Sequence, residues 1–214
     1  MIKKDIDALV ITQPSQLCWL LNIRGKDTQF TPLFLAFGVV YKDGSVFIFD
    51  SRKIKINIKK DLNIKIFKFM EIIEVLKKFQ GKRIAINIFH TPFIIEHQLK
   101  ENNAIIVTSF DSLDKISVRK NIVEIKNIRE THKRDGASVV KFLCWLEENI
   151  LKNKINEFEA SIKLKEFRSK DKNFICESFP TIAASGSNAA IVHYKPSKHS
   201  CDFIDKKYLF LLDS

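Results

Sequence analysis

Apolar and polar positions follow one rhythm to about residue 120 and another beyond it. The apolar core of residues 7–12, DALVIT, predicts a short buried strand. Gln13-Pro14-Ser15 reads as a turn into a helix capped by Ser15, with Leu17, Leu20 and Leu21 on one side and Trp19 near them. Asn22-Ile23-Arg24-Gly25 closes that helix, and Gly25 suits a left-handed position after it. Two apolar runs, residues 33–41 and 46–49, flank Lys42-Asp43-Gly44-Ser45, a strong hairpin signal. Residues 64–69, 83–89 and 104–107 read as strands, and residues 71–79 and 92–100 as helices. Asp111 can cap a last short helix containing Leu113 and Ile116. This alternation predicts an α/β domain over residues 1–120, an open sheet covered by helices. No glycine fingerprint follows a strand, so dinucleotide binding gains no support.

Beyond residue 120 the period lengthens. Residues 126–150 form a long charged helix pattern, with Ile125, Ile128, Val139, Val140, Phe142, Leu143, Trp145 and Leu146 clustered toward one face. Gly136 interrupts it at a cost of about 1 kcal/mol relative to Ala. Residues 156–170 form a second amphipathic helix, capped by Asn156 with Glu159 completing the box and Phe158, Ile162 and Phe167 as its stripe. Residues 178–196, SFPTIAASGSNAAIVHYKP, are rich in small side chains that allow a ligand or another chain close to the backbone. The alternation Ala189, Ile191, His193 predicts a strand that projects His193, with Tyr194 on the opposite face and Pro196 ending it. An apolar run over residues 208–212 stops at Asp213.

Composition changes this picture little. With 214 residues, 45% hydrophobic and 11% aromatic, the chain is long enough and apolar enough for a real core. The net charge of +11 raises the question of nucleic acid. Lys is spread along the chain among Ile and Asn, and the densest stretch, KIKINIKK at residues 53–60, lacks a stacking platform and reads as a lysine-guarded edge strand. Specific nucleic-acid recognition is not expected. No run of about 18 uncharged apolar residues occurs, so no membrane helix is expected. The N-terminus lacks the pattern of a secretory signal. Cys18, Cys144, Cys176 and Cys201 show no CxxC spacing and read as reduced, mostly buried thiols in a cytoplasmic protein. His132 on the long helix reads as solvated, since Asp135 and Gly136 make no convincing metal site with it.

FPTIAASGSNAAIVHYKP followed by YLFLLDS resembles the start of the catalytic domain in the aminopeptidase P group of metallopeptidases, the creatinase-like or pita-bread family. LVITQPSQLCWLLNIRGKD with PLFLAF resembles the noncatalytic middle domain of its three-domain members, with Trp19, Leu20, Asn22, Arg24 and Gly25 in the places of its Trp-Leu, Asn-x-Arg-Gly stretch. Trp19 is expected to pack in the core, and Arg24 to be a turn or interface residue. KNIRETHKRDGASVVKFLCWLEE resembles the first helix of the pita-bread domain. The resemblance implies a creatinase-like α/β domain, a mixed sheet with helices, over residues 1–120. It implies the N-terminal part of an α+β pita-bread peptidase domain over residues 121–214.

The family removes an N-terminal residue that precedes proline. By resemblance His193 lies beside the substrate and Asp213 is the first carboxylate ligand of a two-metal site, manganese suiting such oxygen-rich donors. The remaining ligands, a second Asp, a His and two Glu, have no counterpart among the 214 residues. The expectation is therefore an incomplete catalytic domain without activity or stable metal binding alone, whose strand at Asp213 lacks sheet partners and is poorly ordered. Two alternatives stay open: a split enzyme completed by another chain, and a noncatalytic binding or assembly module. The implied partners are a peptide with proline at its second position and a second copy or a complementing chain.

Overall fold

Strand β1 (Ala8–Ile11) is buried along its whole length, as an apolar strand covered on both faces must be. Its side chains alternate between two cores. Ala8 and Val10 join Phe49, Ile84 and Ile95 in one, while Leu9 and Ile11 join Leu17, Cys18 and Ile48 in the other. Each fully buried Leu or Ile contributes about 1.5–3 kcal/mol.

The computed structural model describes residues 1–50, 63–108, 112–152 and 154–214. It divides into two units, Met1–Arg119 and Lys120–Ser214.

In the first unit, β1 pairs antiparallel with β2 (Phe37–Tyr41), which pairs antiparallel with β3 (Val46–Phe49). The turn between β2 and β3 holds Gly44 at φ 87°, the left-handed conformation the hairpin signal demanded. Parallel pairs add β4 (Ile64–Phe67) beside β3, β5 (Arg83–Ala85) beside β1, and β6 (Ile105–Val107) beside β5. Among the described residues the sheet is mixed, in the order β4-β3-β2-β1-β5-β6. Helices α2 (Glu71–Leu76) and α3 (Phe93–Glu101) cover one face. Helix α1 (Pro14–Leu21) covers the other, where α4 (Ser112–Val118) adds Leu113. The expected mixed α/β sheet with helices is present.

Several local expectations need correction. Helix α1 begins at Pro14 with Gln13 as its N-cap and no side-chain cap bond, so Ser15 lies inside the helix. Proline suits that first position because its missing N–H has no partner there anyway. Asn22, at φ 51°, takes the left-handed position assigned to Gly25. Gly25 is required for a different reason: a Cβ there would lie 2.5 Å from the Leu33 carbonyl oxygen and 2.7 Å from the Phe34 Cα. Trp19 is half-buried and has no place in either cluster, where Leu17 and Cys18 point inward. Strand β5 stops at Ala85, three residues into the stretch read as residues 83–89. Cys18 is buried, but Cys144 and Cys176 are exposed and Cys201 half-buried. The edge strand read at residues 53–60 and the Asp111 cap lie outside the described residues.

The second unit opens with the 28-residue helix α5 (Ile122–Asn149), capped by Asn121 with Glu124 in a reciprocal box. The helix runs through Gly136. Its buried line is Ser138, Phe142 and Leu146, whereas Val140 and Leu143 are exposed. Helix α6 (Glu157–Ser169) carries the expected Asn156–Glu159 capping box. Of the expected stripe, Phe167 packs against the core and Phe158 is half-buried, but Ile162 is exposed, and the fully inward line is Glu157, Ala160, Leu164 and Arg168. Arg168 is tied to Asp135 of α5 through two bonds, Nε at 2.7 Å and Nη2 at 3.1 Å. Against these helices lies an antiparallel pair, β7 (Ile182–Ser185) and β8 (Phe210–Asp213). The strand ending at Asp213 therefore has a sheet partner, contrary to expectation. Phe210 and Leu212 of β8 pack on the core of Phe142, Leu164 and Ala183, which fixes which face Leu211 and Asp213 present.

Candidate functional site

Asp213 stands at the end of β8, opposite Ile182 of β7 in the ladder. Its side chain is on the face turned away from the core, since Leu212 points inward. His193 arrives by another route than a strand. Residues 186–190 form a 3-10 turn, and the chain then reverses with the Tyr194 N–H donating to the Ile191 carbonyl at 3.2 Å. His193 lies in that reversal at φ 56°. The alternation of Ala189, Ile191 and His193 thus belongs to a turn, and its regularity is coincidental. A left-handed histidine is uncommon, though His, Asn and Asp adopt this conformation more readily than other residues.

Turn and strand converge on one pocket of about 380 Å³. Phe179, Pro180 and Ile182 form its apolar side, and His193, Tyr194, Lys195 and Asp213 its polar side. The two residues singled out in the sequence, twenty positions apart, therefore meet at one cavity. Both are exposed to it. Lys195 was not foreseen, since one lysine in so lysine-rich a chain carries no signal by itself.

Behind the pocket lies a second residue that sequence reasoning missed. Glu157, the first residue of α6, is fully buried. Its carboxylate accepts from the Ser185 N–H at 2.6 Å, the Asp202 N–H at 2.9 Å, the Tyr194 hydroxyl at 2.6 Å and the Asn188 amide at 3.0 Å. Burial, then the bond from Tyr194 to Glu157 and the charge of that carboxylate, raise the Tyr194 hydroxyl above its ordinary value. The Tyr194 hydroxyl is the donor of its bond to Glu157. The acid directly after a capping Asn was the available signal, but an acid in a first helical turn is ordinarily read as solvated.

Chemically, the pocket offers one carboxylate that can hold a cation, one imidazole that can donate a hydrogen bond and one ammonium, facing an apolar wall. Among the described residues no three His, Cys, Asp or Glu side chains converge to hold a metal ion. His132 is exposed on α5. Among the described residues no helix is long and apolar enough to cross a membrane.

Comparison with known proteins adds independent information. The family model described as Creatinase/Prolidase N-terminal domain matches residues 1–124, and that described as Metallopeptidase family M24 matches residues 126–214. An uncharacterised peptidase of Schizosaccharomyces pombe is 33% identical over 217 residues, which is 100% of this chain and 36% of the yeast protein. A protein of Paracoccidioides lutzii named a probable Xaa-Pro aminopeptidase P is 32% identical over 228 residues, 99% of this chain and 37% of its own length. Among solved structures, the X-prolyl aminopeptidase of Caenorhabditis elegans is described as a cytosolic enzyme with a di-nuclear active site. It is similar with a TM-score of 0.87 at 29% identity, over 99% of this chain and 36% of that one. The Xaa-Pro dipeptidase of Bacillus anthracis shares the fold, with a TM-score of 0.70 at 19% identity. The chain spans little more than a third of the length of the curated relatives it matches.

Proposed function

Because the chain belongs to the creatinase/prolidase family of metallopeptidases, with its second unit matching family M24, we propose that it forms part of an Xaa-Pro aminopeptidase. Such an enzyme removes the N-terminal residue that precedes proline. The observation that carries this reading is the meeting of His193 and Asp213 at one pocket. Residues 1–120 are assigned to a noncatalytic creatinase-like domain that contributes to assembly, and residues 121–214 to the first part of the peptidase domain. The cytoplasm is its assigned compartment, in keeping with four free cysteines and with the cytosolic description of the nematode enzyme.

Asp213 is assigned as a carboxylate ligand of a divalent ion, with manganese favoured by the hard oxygen donor. When bound, such an ion supplies an activated water and polarises the scissile carbonyl. The donors present here do not fit two ions, because each ion needs several ligands to offset its dehydration. His193 is assigned to donate a hydrogen bond to the substrate from the turn at the pocket mouth. Phe179, Pro180 and Ile182 line the other side. The remaining ligands are assigned to residues outside these 214, on a longer chain or a complementing chain.

Titration of manganese into the purified 214-residue chain, with an Xaa-Pro peptide as substrate, tests this assignment. The expected result is weak, non-saturating binding in the micromolar range and no turnover above the blank. Tight uptake of two ions, with turnover that Asp213→Ala abolishes, would show that the ligand set is complete within these residues and overturn the assignment.

A further inference from the structure

Glu157 is a carboxylate with no exposed surface, and its described bonding partners include no cation. Burying such a charge is costly unless its oxygens are fully bonded. Here they are. Oε1 accepts from the Ser185 N–H, and Oε2 from the Tyr194 hydroxyl and the Asp202 N–H. The Asn188 amide reaches both oxygens, at 3.3 and 3.0 Å. The residue also sits at the N-terminus of a 13-residue helix, where peptide dipoles favour negative charge.

The partners are spread in a way that core stability alone does not require. Ser185 ends β7, the strand that holds β8 and its Asp213 in register. Tyr194 follows His193 directly, in the reversal where His193 has its left-handed backbone. Asn188 lies in the 3-10 turn between them and also donates to the Tyr194 hydroxyl oxygen at 3.2 Å and to Asp202 at 3.1 Å. The stretch from Ser185 to Ala190 is built of small side chains, and the Ile191 and Val192 that follow are exposed, so it carries little packing of its own. Glycine and alanine leave the backbone free, so something else must fix the reversal.

We propose that Glu157 is a positioning residue for the pocket: its buried carboxylate ties the turn that carries His193 to the strand that sets Asp213. The proposal rests on the reading of His193 and Asp213 given above. Glu157 acts through Tyr194 and Ser185 and does not itself line the pocket.

Nuclear magnetic resonance of the histidine rings in the intact 214-residue chain tests it, without metal or substrate. Tyr194→Phe keeps the ring and removes the hydroxyl that Glu157 holds. Glu157→Gln keeps the shape and places an amide where an acceptor is needed. Each variant is expected to shift the His193 ring resonances more than those of His90, His97 and His132, while far-ultraviolet circular dichroism stays unchanged. Where Glu157→Gln does not fold, Tyr194→Phe decides. A folded Tyr194→Phe chain with His193 unmoved, or with all histidines displaced alike, would overturn the proposal and leave Glu157 a structural residue. Failure of the aminopeptidase assignment is read instead from the absence of Xaa-Pro turnover once the missing ligands are supplied, and it leaves these spectra as they are.

Discussion

At Gly25 the backbone itself is the neighbour, and no side-chain adjustment can make room for a methyl group. Gly25→Ala is expected to cost about 1–3 kcal/mol, the usual price of overpacking, because Leu33 O and Phe34 Cα stand at 2.5 and 2.7 Å from the new carbon. Gly136→Ala is expected to act in the opposite direction. Nothing lies within 4 Å of its Cβ position, and a mid-helix glycine gains about 0.5–1 kcal/mol on becoming alanine. Thermal unfolding of the two variants checks both signs. A third case concerns pH. Burial, with the charge of Asp43 adding to it, pushes the Tyr41 hydroxyl up to about 12, against about 10 in an unfolded chain. Between those values the unfolded chain releases a proton that the folded chain keeps, so stability falls as pH rises through that window. Tyr41→Phe is expected to flatten this loss, measured by denaturant midpoints across the alkaline range. Residues with one strong local preference, such as Asp43-Gly44 and Asn156, were legible in the sequence. His193 was legible as a candidate but not in its backbone, because three alternating apolar positions look alike in a strand and in a turn.

At the scale of elements, α6 shows how burial and polarity can part company. Its sequence offered Phe158, Ile162 and Phe167 as the inward stripe; Phe167 does pack on the core, yet two charged residues, Glu157 and Arg168, occupy the most buried line with Ala160 and Leu164. Each charge is buried only because partners on other elements satisfy it, and periodicity cannot see partners. Arg168 is 8% exposed and Asp135 43%. Asp135→Ala leaves the guanidinium buried without its carboxylate and is expected to cost about 1–3 kcal/mol. Arg168→Met leaves only a partly solvated acid and an apolar chain of similar length, so it is expected to cost less. Chemical denaturation of the two variants ranks them. Equal losses would mean that the ion pair has no bearing on how α5 and α6 pack. The pairing of β7 with β8 was also illegible, since the ladder joins residues some thirty positions apart.

On the scale of the whole molecule, the first unit was the more readable. Its strands and helices alternate with distinct periods, and β1 buries both faces, so α/β architecture follows from the pattern. That the sheet is mixed came only with the resemblance to a known family, and its strand order only with the structure. In the second unit the resemblance brought out His193 and Asp213, and the structure places both at one pocket. Glu157, which holds that pocket's frame, was hidden because its function depends on four segments meeting. As proposed, this pocket is one wall of an Xaa-Pro aminopeptidase site whose other ligands come from elsewhere. The most direct measurement replaces the matching 36% of the nematode X-prolyl aminopeptidase with these 214 residues and follows release of the residue before proline. Turnover by the chimera that Asp213→Ala abolishes and His193→Ala strongly reduces is the predicted result. A folded chimera that is inactive, or whose turnover is indifferent to Asp213, would contradict it.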